Sequence, residues 1–123
     1  MRLFGKIEKI WGYEDIFVSN DKYCAKYLVF EKAGNKTSMH FHKDKHETWR
    51  VVQGSFLVRY IYTDIAEVKE RILTPAPVDA QTLHKIFPID PLMPHQLIAL
   101  EDNSIMLEVS TADSDEDNYR LYR

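Results

Sequence analysis

Short apolar runs separated by turn residues follow one another along most of the chain. The most distinct run, Tyr23–Phe30, is rich in aromatic and branched side chains, and Gly34 follows it closely. Runs of this length and composition predict β-strands. By the same criterion, further strands are expected at 37–42, 48–52, 55–62, 86–87, 96–100 and 104–111.

The segments between these runs carry turn residues, and one segment is ambiguous. Gln53 and Gly54 separate two predicted strands, and glycine supplies the positive φ of a tight turn, so we expect a β-hairpin there. The spacing of 65–73 fits either a short helix or an irregular strand, and Pro75 and Pro77 then impose a loop. Regularly spaced short strands in a chain of 123 residues predict an all-β sandwich or barrel.

Length and composition suit one hydrophobic core. The chain has 123 residues, of which 45% are hydrophobic, and we therefore expect a single domain over 1–123. An acidic run consists of Asp113, Asp115, Glu116 and Asp117. It lacks the fixed ligand spacing of a cation site, so we expect 113–123 to form a mobile, solvated C-terminal tail.

Charge and hydrophobicity limit the partners of the chain. A formal net charge of −3 argues against nucleic-acid binding, which requires a basic surface. No run approaches the roughly 20 apolar residues that span a bilayer, and the N-terminus lacks the apolar run of a secretory signal. Cys24, the only cysteine, lies in an apolar run, which favours a buried structural thiol in a reducing compartment. We expect a cytoplasmic protein with neither a nucleic-acid nor a membrane partner.

Three of the five histidines lie within seven residues of one another, between His40 and His46. His40 and His42 are two positions apart in a predicted strand, so both rings project from the same face. Glu47 follows after a short turn and can bring a carboxylate to the same point. Imidazole nitrogens with one carboxylate suit a single divalent ion of Zn, Fe, Mn, Ni or Co and leave coordination positions open.

The spacing of Gly34, His40, His42, Glu47 and Gly54 resembles the first cupin motif, which is Gly, five residues, His-x-His, three or four residues, Glu, six residues, Gly. The resemblance implies a double-stranded β-helix, a jelly-roll-like barrel. It also implies that His40, His42 and Glu47 are metal ligands.

The second cupin motif supplies one more histidine, and His95, preceded by Pro94, is the candidate. The resemblance thus implies a metal site of His40, His42, Glu47 and His95. His84 fits no ligand position. His46 neighbours Glu47 and faces away in a regular strand, although a bulge would bring it near the site.

Several shorter segments are similar to the cupin domain of type II phosphomannose isomerases, which often accompanies mannose-1-phosphate guanylyltransferase. These are Trp11-Gly12-Tyr13-Glu14, residues 23–26, 107–110 and 116–120. The likeness implies a metal-dependent aldose–ketose isomerase that acts on a sugar or a sugar phosphate. Two alternatives stay open, namely an Fe(II)-dependent cupin dioxygenase and a non-catalytic carbohydrate-binding or sensing cupin. The catalytic base is not identified.

If the substrate carries an anionic group, we expect three cations near it, namely Lys26, Arg59 and Arg120. Arginine can bind phosphate with two parallel hydrogen bonds, and lysine attracts it as a point charge. Trp11 and Trp49 are candidates for stacking on a sugar ring or for core packing. We also expect a homodimer that forms through edge strands, since an open edge presents unpaired backbone groups.

Overall fold

The computed structural model describes residues 4–75, 86–114 and 116–123. These residues form eleven β-strands and one 3₁₀ turn at Thr63–Ile65, with no α-helix among them. The strands are β1 (Gly5–Lys9), β2 (Gly12–Ser19), β3 (Tyr23–Phe30), β4 (Met39–Phe41), β5 (Glu47–Gln53), β6 (Phe56–Tyr62), β7 (Glu67–Leu73), β8 (Phe87–Ile89), β9 (His95–Ala99), β10 (Ser104–Thr111) and β11 (Tyr119–Tyr122). In the described part of the chain, no helix has the length and apolar character that crossing a membrane requires.

The strands form two antiparallel sheets. One sheet has six strands in the order β1-β2-β3-β10-β5-β8, and the other has five in the order β11-β4-β9-β6-β7. Some neighbours follow one another in sequence, such as β1 and β2 or β6 and β7, whereas others are distant, as when β3 pairs with β10 and β4 with β9. The predicted all-β barrel architecture is confirmed.

The hydrophobic core lies between the two sheets. Strands alternate buried and exposed positions, as in β10, where every second residue from Ser104 onwards is buried. Trp11 stacks on Phe30 with ring centroids 4.4 Å apart, and Phe30 meets Phe56 edge-on at 5.2 Å. Burying each such aromatic ring stabilises the fold by about 1.5–3 kcal/mol relative to exposure.

The hairpin predicted at Gln53 and Gly54 is wrong. Strand β5 pairs with β10 and β8, whereas β6 pairs with β9 and β7, so the chain passes from one sheet to the other at this glycine. Gly54 has φ +76°, and a Cβ there would clash with Ser104. A tight hairpin and a sheet-switching corner both accept a glycine with positive φ, so the glycine alone does not distinguish them; the pairing of β5 and β6 in different sheets does.

Other expectations are refined by the structure. The ambiguous segment 65–73 is mostly strand, since β7 covers Glu67–Leu73. Strands β1, β2 and β11 were not predicted. The loop imposed by Pro77 falls in 76–85, outside the described residues.

Part of the segment 113–123, which was expected to be a solvated tail, contacts the barrel. Asp113 binds two buried lysines, Lys26 and Lys45, at 3.0 and 3.1 Å. The Asp117 carboxylate accepts hydrogen bonds from three consecutive backbone N–H groups, at residues 43–45, and Tyr119–Tyr122 pairs with β4. Asp113 and Asp117 are therefore held by specific donors on the barrel.

Candidate metal centre

Three histidines and one glutamate meet between the sheets, at positions set by the strand register. His40 lies in β4 directly opposite His95, the first residue of β9, and His42 follows β4. Glu47 begins β5 in the other sheet. The ligand nitrogens of His40, His42 and His95 all lie within 4.8 Å of one another, which is close enough to hold one metal ion.

The backbone orients each of the three imidazoles. In every case Nδ1 is at 2.5–3.0 Å from a backbone carbonyl oxygen. The carbonyls belong to Ser38 for His40, to Asp117 for His42 and to Met93 for His95. A ring that donates its Nδ1–H to a carbonyl carries its lone pair on Nε2, which is the usual arrangement of a metal-binding histidine.

The inner atoms of this cluster lack partners of their own. Oε2 of Glu47 is 3.3 Å from Nε2 of His42 and 3.3 Å from Nε2 of His95. Oε2 of Glu47 and Nε2 of His95 are buried and have no hydrogen-bond partner. A carboxylate oxygen facing nitrogen lone pairs is repulsive unless a cation lies between them. The donor set therefore fits a divalent metal ion.

The electrostatics keep two of the candidate ligands in the protonation state that binds metal. Burial, reinforced by the neighbouring His95, lowers the pKa of His40 to about 3, so its ring is neutral. Burial raises the pKa of Glu47, but His95 and Lys45 outweigh burial and hold the pKa well below its usual range. A neutral imidazole and an ionised carboxylate are the forms that coordinate a metal.

Next to these ligands lies a group of buried charges that we call the lysine–carboxylate network, consisting of Glu14, Lys26, Lys45, Glu108 and Asp113. Lys26 Nζ is 3.0 Å from Asp113, 3.4 Å from Glu14 and 3.8 Å from Glu108. Lys45 Nζ is 3.0 Å from Glu108 and 3.1 Å from Asp113. Both lysine side chains are at most 5% exposed. Such burial of paired charges is expensive, which favours a functional reason for it.

The network contacts the candidate metal ligands through Glu47. Lys45 Nζ is 4.0 Å from Oε1 of Glu47. Trp49 Nε1 lies 3.3 Å from Oε1 of Glu47 and 3.3 Å from Oε1 of Glu108, so it can donate to both. These contacts hold Oε1 on the network side and leave Oε2 to face the histidines.

A cavity of about 410 Å³ opens onto both groups. Its wall includes His40, His42 and Glu47 together with all five residues of the network. Exposed cations, Lys9, Arg120 and Arg123, also line it. The cavity is large enough for a small polar molecule and presents acids, bases and cations to it.

The structure places the three cations that were expected near a substrate in different environments. Arg120 lines the cavity and pairs with His40 in the β11–β4 register. Lys26 also lines the cavity, but its charge is taken up by three carboxylates, so a role in gripping an anion is not supported. Arg59 is not among the residues that line this cavity: Val58 and Tyr60 of the same strand face the core, and Arg59 lies on the opposite face, 2.8 Å from Glu70.

The remaining sequence candidates are placed as follows. His46 is 62% exposed and 3.8 Å from Asp90, so it does not join the cluster. His84 lies outside the described residues. Trp11 and Trp49 are buried core residues whose side chains also reach the cavity wall. Cys24 is buried, and burial raises the pKa of its thiol, which confirms the structural interpretation.

Sequence reasoning missed Glu14, Lys45, Glu108, Asp113 and the carbonyl of Asp117. One signal was present in β10, where Glu108 is a single charge flanked by Leu107 and Val109 on an alternating strand. A lone charge on the face that should be apolar indicates a buried ion pair. Its partners depend on register and could not be named from the sequence.

Comparison with known proteins identifies the fold. No protein-family model matches the chain, and neither does any curated protein. Among solved structures, the capsular polysaccharide assembling protein CapF from Staphylococcus aureus is 17% identical with TM-score 0.77, over 100% of this chain and 34% of CapF. KdgF from Halomonas sp. is 21% identical with TM-score 0.67, over 85% of this chain and 81% of KdgF. A Bacillus subtilis oxalate decarboxylase variant is 17% identical with TM-score 0.77, over 96% of this chain and 30% of the enzyme.

The chain thus spans about a third of CapF and of oxalate decarboxylase, and most of KdgF. All three neighbours are cupin-fold proteins. At these identities the likeness concerns the fold and not the reaction. It agrees with the glycine, histidine and glutamate spacing at 34–54. The chain therefore has the fold of the cupin superfamily.

Proposed function

We propose that this chain is a metal-dependent aldose–ketose isomerase that acts on a sugar or a sugar phosphate. The observation that carries the proposal is the shared cavity, in which a metal-binding cluster and a buried lysine–carboxylate network face the same space. Isomerisation needs an electrophile at the two sugar oxygens and a base at the adjacent carbon, and these two groups supply both. The likeness to phosphomannose isomerases and to CapF, named for capsular polysaccharide assembly, supports a carbohydrate substrate.

His40, His42, His95 and Glu47 are the residues that hold the metal in this proposal. Their donor set suits Zn, Fe, Mn, Ni or Co. A bound divalent ion supplies a Lewis acid at the carbonyl and hydroxyl oxygens of an open-chain sugar. The protein contributes the orientation of each imidazole through a backbone carbonyl.

Glu14 is the base we assign to proton transfer. Its carboxylate lines the cavity and is 16% exposed, and among the described residues only Lys26 contacts it, at Oε1. Glu108 and Asp113, in contrast, each accept donors at both carboxylate oxygens. In the forward direction Glu14 takes the proton from C2 of the aldose and returns it to C1, while the hydroxyl proton passes from O2 to O1, so no atom is gained or lost.

Arg120 is the cation we assign to an anionic group of the substrate. It lines the cavity, and no ion pair engages it within the described residues. A guanidinium can bind phosphate with two parallel hydrogen bonds. The expected cytoplasmic location and small-molecule partner are consistent with this assignment and stay predictions.

The test is proton exchange in deuterated water. Metal-loaded protein is incubated with a panel of aldoses, ketoses and their phosphates, and deuterium at C1 and C2 is followed by NMR. We expect exchange with at least one substrate, and a loss of at least about 100-fold in rate for Glu14→Gln at unchanged metal content. Glu8→Gln, at an exposed carboxylate of the cavity rim, is the matched control.

The alternatives give different results in the same experiment. Oxygen uptake that depends on Fe(II) would identify a dioxygenase, because isomerisation consumes no oxygen. Saturable sugar binding without exchange in the fully metal-loaded protein would identify a binding or sensing cupin. Either outcome would replace the isomerase proposal.

A further inference from the structure

The side chain of Trp49 lies between the candidate metal ligands and the lysine–carboxylate network. Buried and more exposed positions alternate along β5, so that Glu47, Trp49 and Val51 point inward. The register sets Trp49 directly opposite Glu108 of β10. Trp49 is therefore two residues away from one candidate ligand and faces one carboxylate of the network.

Aromatic rings hold this indole in place. Its ring centroid lies 6.2 Å from that of Phe87 in the neighbouring strand β8, and 5.4 Å from that of His95, which it meets at 80°. Trp49 is 3% exposed. It thus contacts two of the four candidate ligands, Glu47 in one sheet and His95 in the other. An indole packed among these rings has little freedom to turn, so its N–H keeps a fixed direction.

The indole N–H of Trp49 points to two carboxylates. Nε1 lies 3.3 Å from Oε1 of Glu47 and 3.3 Å from Oε1 of Glu108. Both carboxylate side chains are almost completely buried, at 2% and 5% exposed. A buried tryptophan N–H needs only one acceptor, and a backbone carbonyl would satisfy it. Two charged acceptors in place of one neutral acceptor indicate a role beyond filling the core.

Without this N–H, the Glu47 carboxylate would have a competing partner. Lys45 Nζ is 4.0 Å from Oε1 of Glu47, too far for a hydrogen bond, whereas Nε1 of Trp49 is within range. Oε2 meanwhile faces Nε2 of His42 and Nε2 of His95, both at 3.3 Å. A carboxylate released at Oε1 can turn toward the lysine, and that rotation moves Oε2 away from the imidazoles. Trp49 therefore opposes the rotation that would take Glu47 out of the ligand cluster.

We propose that Trp49 is a positioning residue of the metal centre and that it acts through Glu47. Its N–H fixes Oε1, so that Oε2 already faces the two imidazoles before an ion binds. Outer-shell partners of metal ligands typically contribute about 10–100-fold in affinity. The same N–H reaches Glu108, so the metal centre and the lysine–carboxylate network share one donor. The inference rests on the metal centre of the proposed function and not on the isomerase reaction, so an absence of proton exchange would not affect it.

The test is the metal affinity of matched variants. Trp49→Phe keeps an aromatic ring and removes the N–H donor. Trp11→Phe is the control, because Trp11 is the other tryptophan of the chain, is also buried and also lines the cavity, but stacks on Phe30. Affinity for Zn²⁺ is measured by competition with a chromophoric chelator, and the visible spectrum of bound Co²⁺ reports the geometry of its ligands. Circular dichroism and thermal unfolding check the fold.

We expect Trp49→Phe to weaken Zn²⁺ binding by about 10–100-fold and to change the Co²⁺ spectrum, while Trp11→Phe matches the wild type in both. A purely structural tryptophan would affect thermal unfolding and leave the affinity and the spectrum unchanged. Because Trp49 acts through Glu47, its effect should disappear when the carboxylate is already absent. Glu47→Ala and the double variant of Trp49→Phe and Glu47→Ala should therefore bind Zn²⁺ with the same weak affinity.

A folded Trp49→Phe that binds Zn²⁺ within about twofold of the wild-type affinity would overturn the inference, and so would a double variant in which the two losses add. If Trp49→Phe does not fold, the Trp11→Phe protein gives a second measurement, because Trp49 is then its only tryptophan. Its fluorescence should change saturably with Zn²⁺, an ion without unpaired electrons. Stoichiometric Zn²⁺ binding with no such change would also overturn the inference, as would a wild type that binds no divalent ion.

Discussion

Replacing Asp113 with asparagine removes the carboxylate that two buried lysines share. Lys26 and Lys45 donate to it at 3.0 and 3.1 Å, and each lysine side chain is at most 5% exposed. A hydrogen bond to a charged group contributes about 1.5–3 kcal/mol, so two of them contribute about 3–6 kcal/mol. The side chain of Asp113 is 30% exposed, and water and the asparagine oxygen replace part of what is lost. We therefore expect Asp113→Asn to lower the free energy of unfolding by about 3 kcal/mol at pH 7.

The assay is urea unfolding followed by tryptophan fluorescence, with thermal unfolding as a second readout. For a chain of 123 residues, a loss of about 3 kcal/mol corresponds to a fall in Tm of roughly 10 °C. Glu116→Gln is the matched control, because it removes an exposed carboxylate from the same segment. An ordinary surface substitution changes the free energy of unfolding by less than about 0.5 kcal/mol. A change that small for Asp113→Asn, with the same dependence of the free energy on urea concentration, would refute the view that Asp113 neutralises the buried lysines.

The effect depends on pH in a direction that the structure sets. Burial raises the pKa of Asp113, but the charges of Lys45 and Lys26 outweigh burial and hold the pKa below its ordinary value. The unfolded chain consequently takes up this proton at higher pH than the folded protein does. The stability that Asp113 contributes is complete above the ordinary range near pH 4 and is lost as pH falls below it. The difference between wild type and Asp113→Asn should therefore shrink steadily from pH 5 to pH 2.

Three further predictions follow from the placement of individual side chains. His95→Ala should weaken binding of a divalent ion by more than about 100-fold in a competition titration, whereas His46→Ala should leave it unchanged; equal affinities would remove His95 from the site. Arg120→Gln should raise KM for a phosphorylated substrate about tenfold, whereas Arg59→Gln should leave KM unchanged because Arg59 lies on the face of its sheet away from the cavity. A larger rise in KM for Arg59→Gln than for Arg120→Gln would contradict the placement of Arg120 at the substrate. Cys24 should react with a thiol reagent at pH 8 far more slowly than free cysteine, because the thiol is buried and its pKa is raised; rapid labelling of folded protein would show that it is accessible.

The elements that the sequence predicted well are those whose evidence is local. Tyr23–Phe30 and Ser104–Thr111 were expected with the bounds that the structure has, because both are long, apolar and bounded by turn residues. The cluster of His40, His42, Glu47 and His95 was implied by the resemblance to the two cupin motifs, and His95 could not have been joined to the other three from local spacing alone.

The elements that were missed depend on partners far away in sequence. Strand β11 has a mixed composition and is defined by pairing with β4. The corner at Gly54 differs from a hairpin because β5 pairs with β10 and β6 pairs with β9, in different sheets. Lys26 was taken for a substrate cation because nothing near it in sequence reveals that Asp113, 87 residues later, neutralises it. Long-range pairing of this kind is set by the fold and leaves only a weak local trace.

The carbonyl of Asp117 that accepts from His42 is 75 residues away from it in sequence. The same residue fastens the turn at 43–45 through its carboxylate. Asp117 thus connects the C-terminal part of the chain to His42, so binding of a divalent ion by His42 would be thermodynamically linked to these contacts. We therefore expect a divalent ion to slow proteolytic cleavage next to Asp117. Limited proteolysis at increasing concentrations of a divalent ion would therefore report the affinity of the site for that ion, as the fraction of the chain that remains uncut.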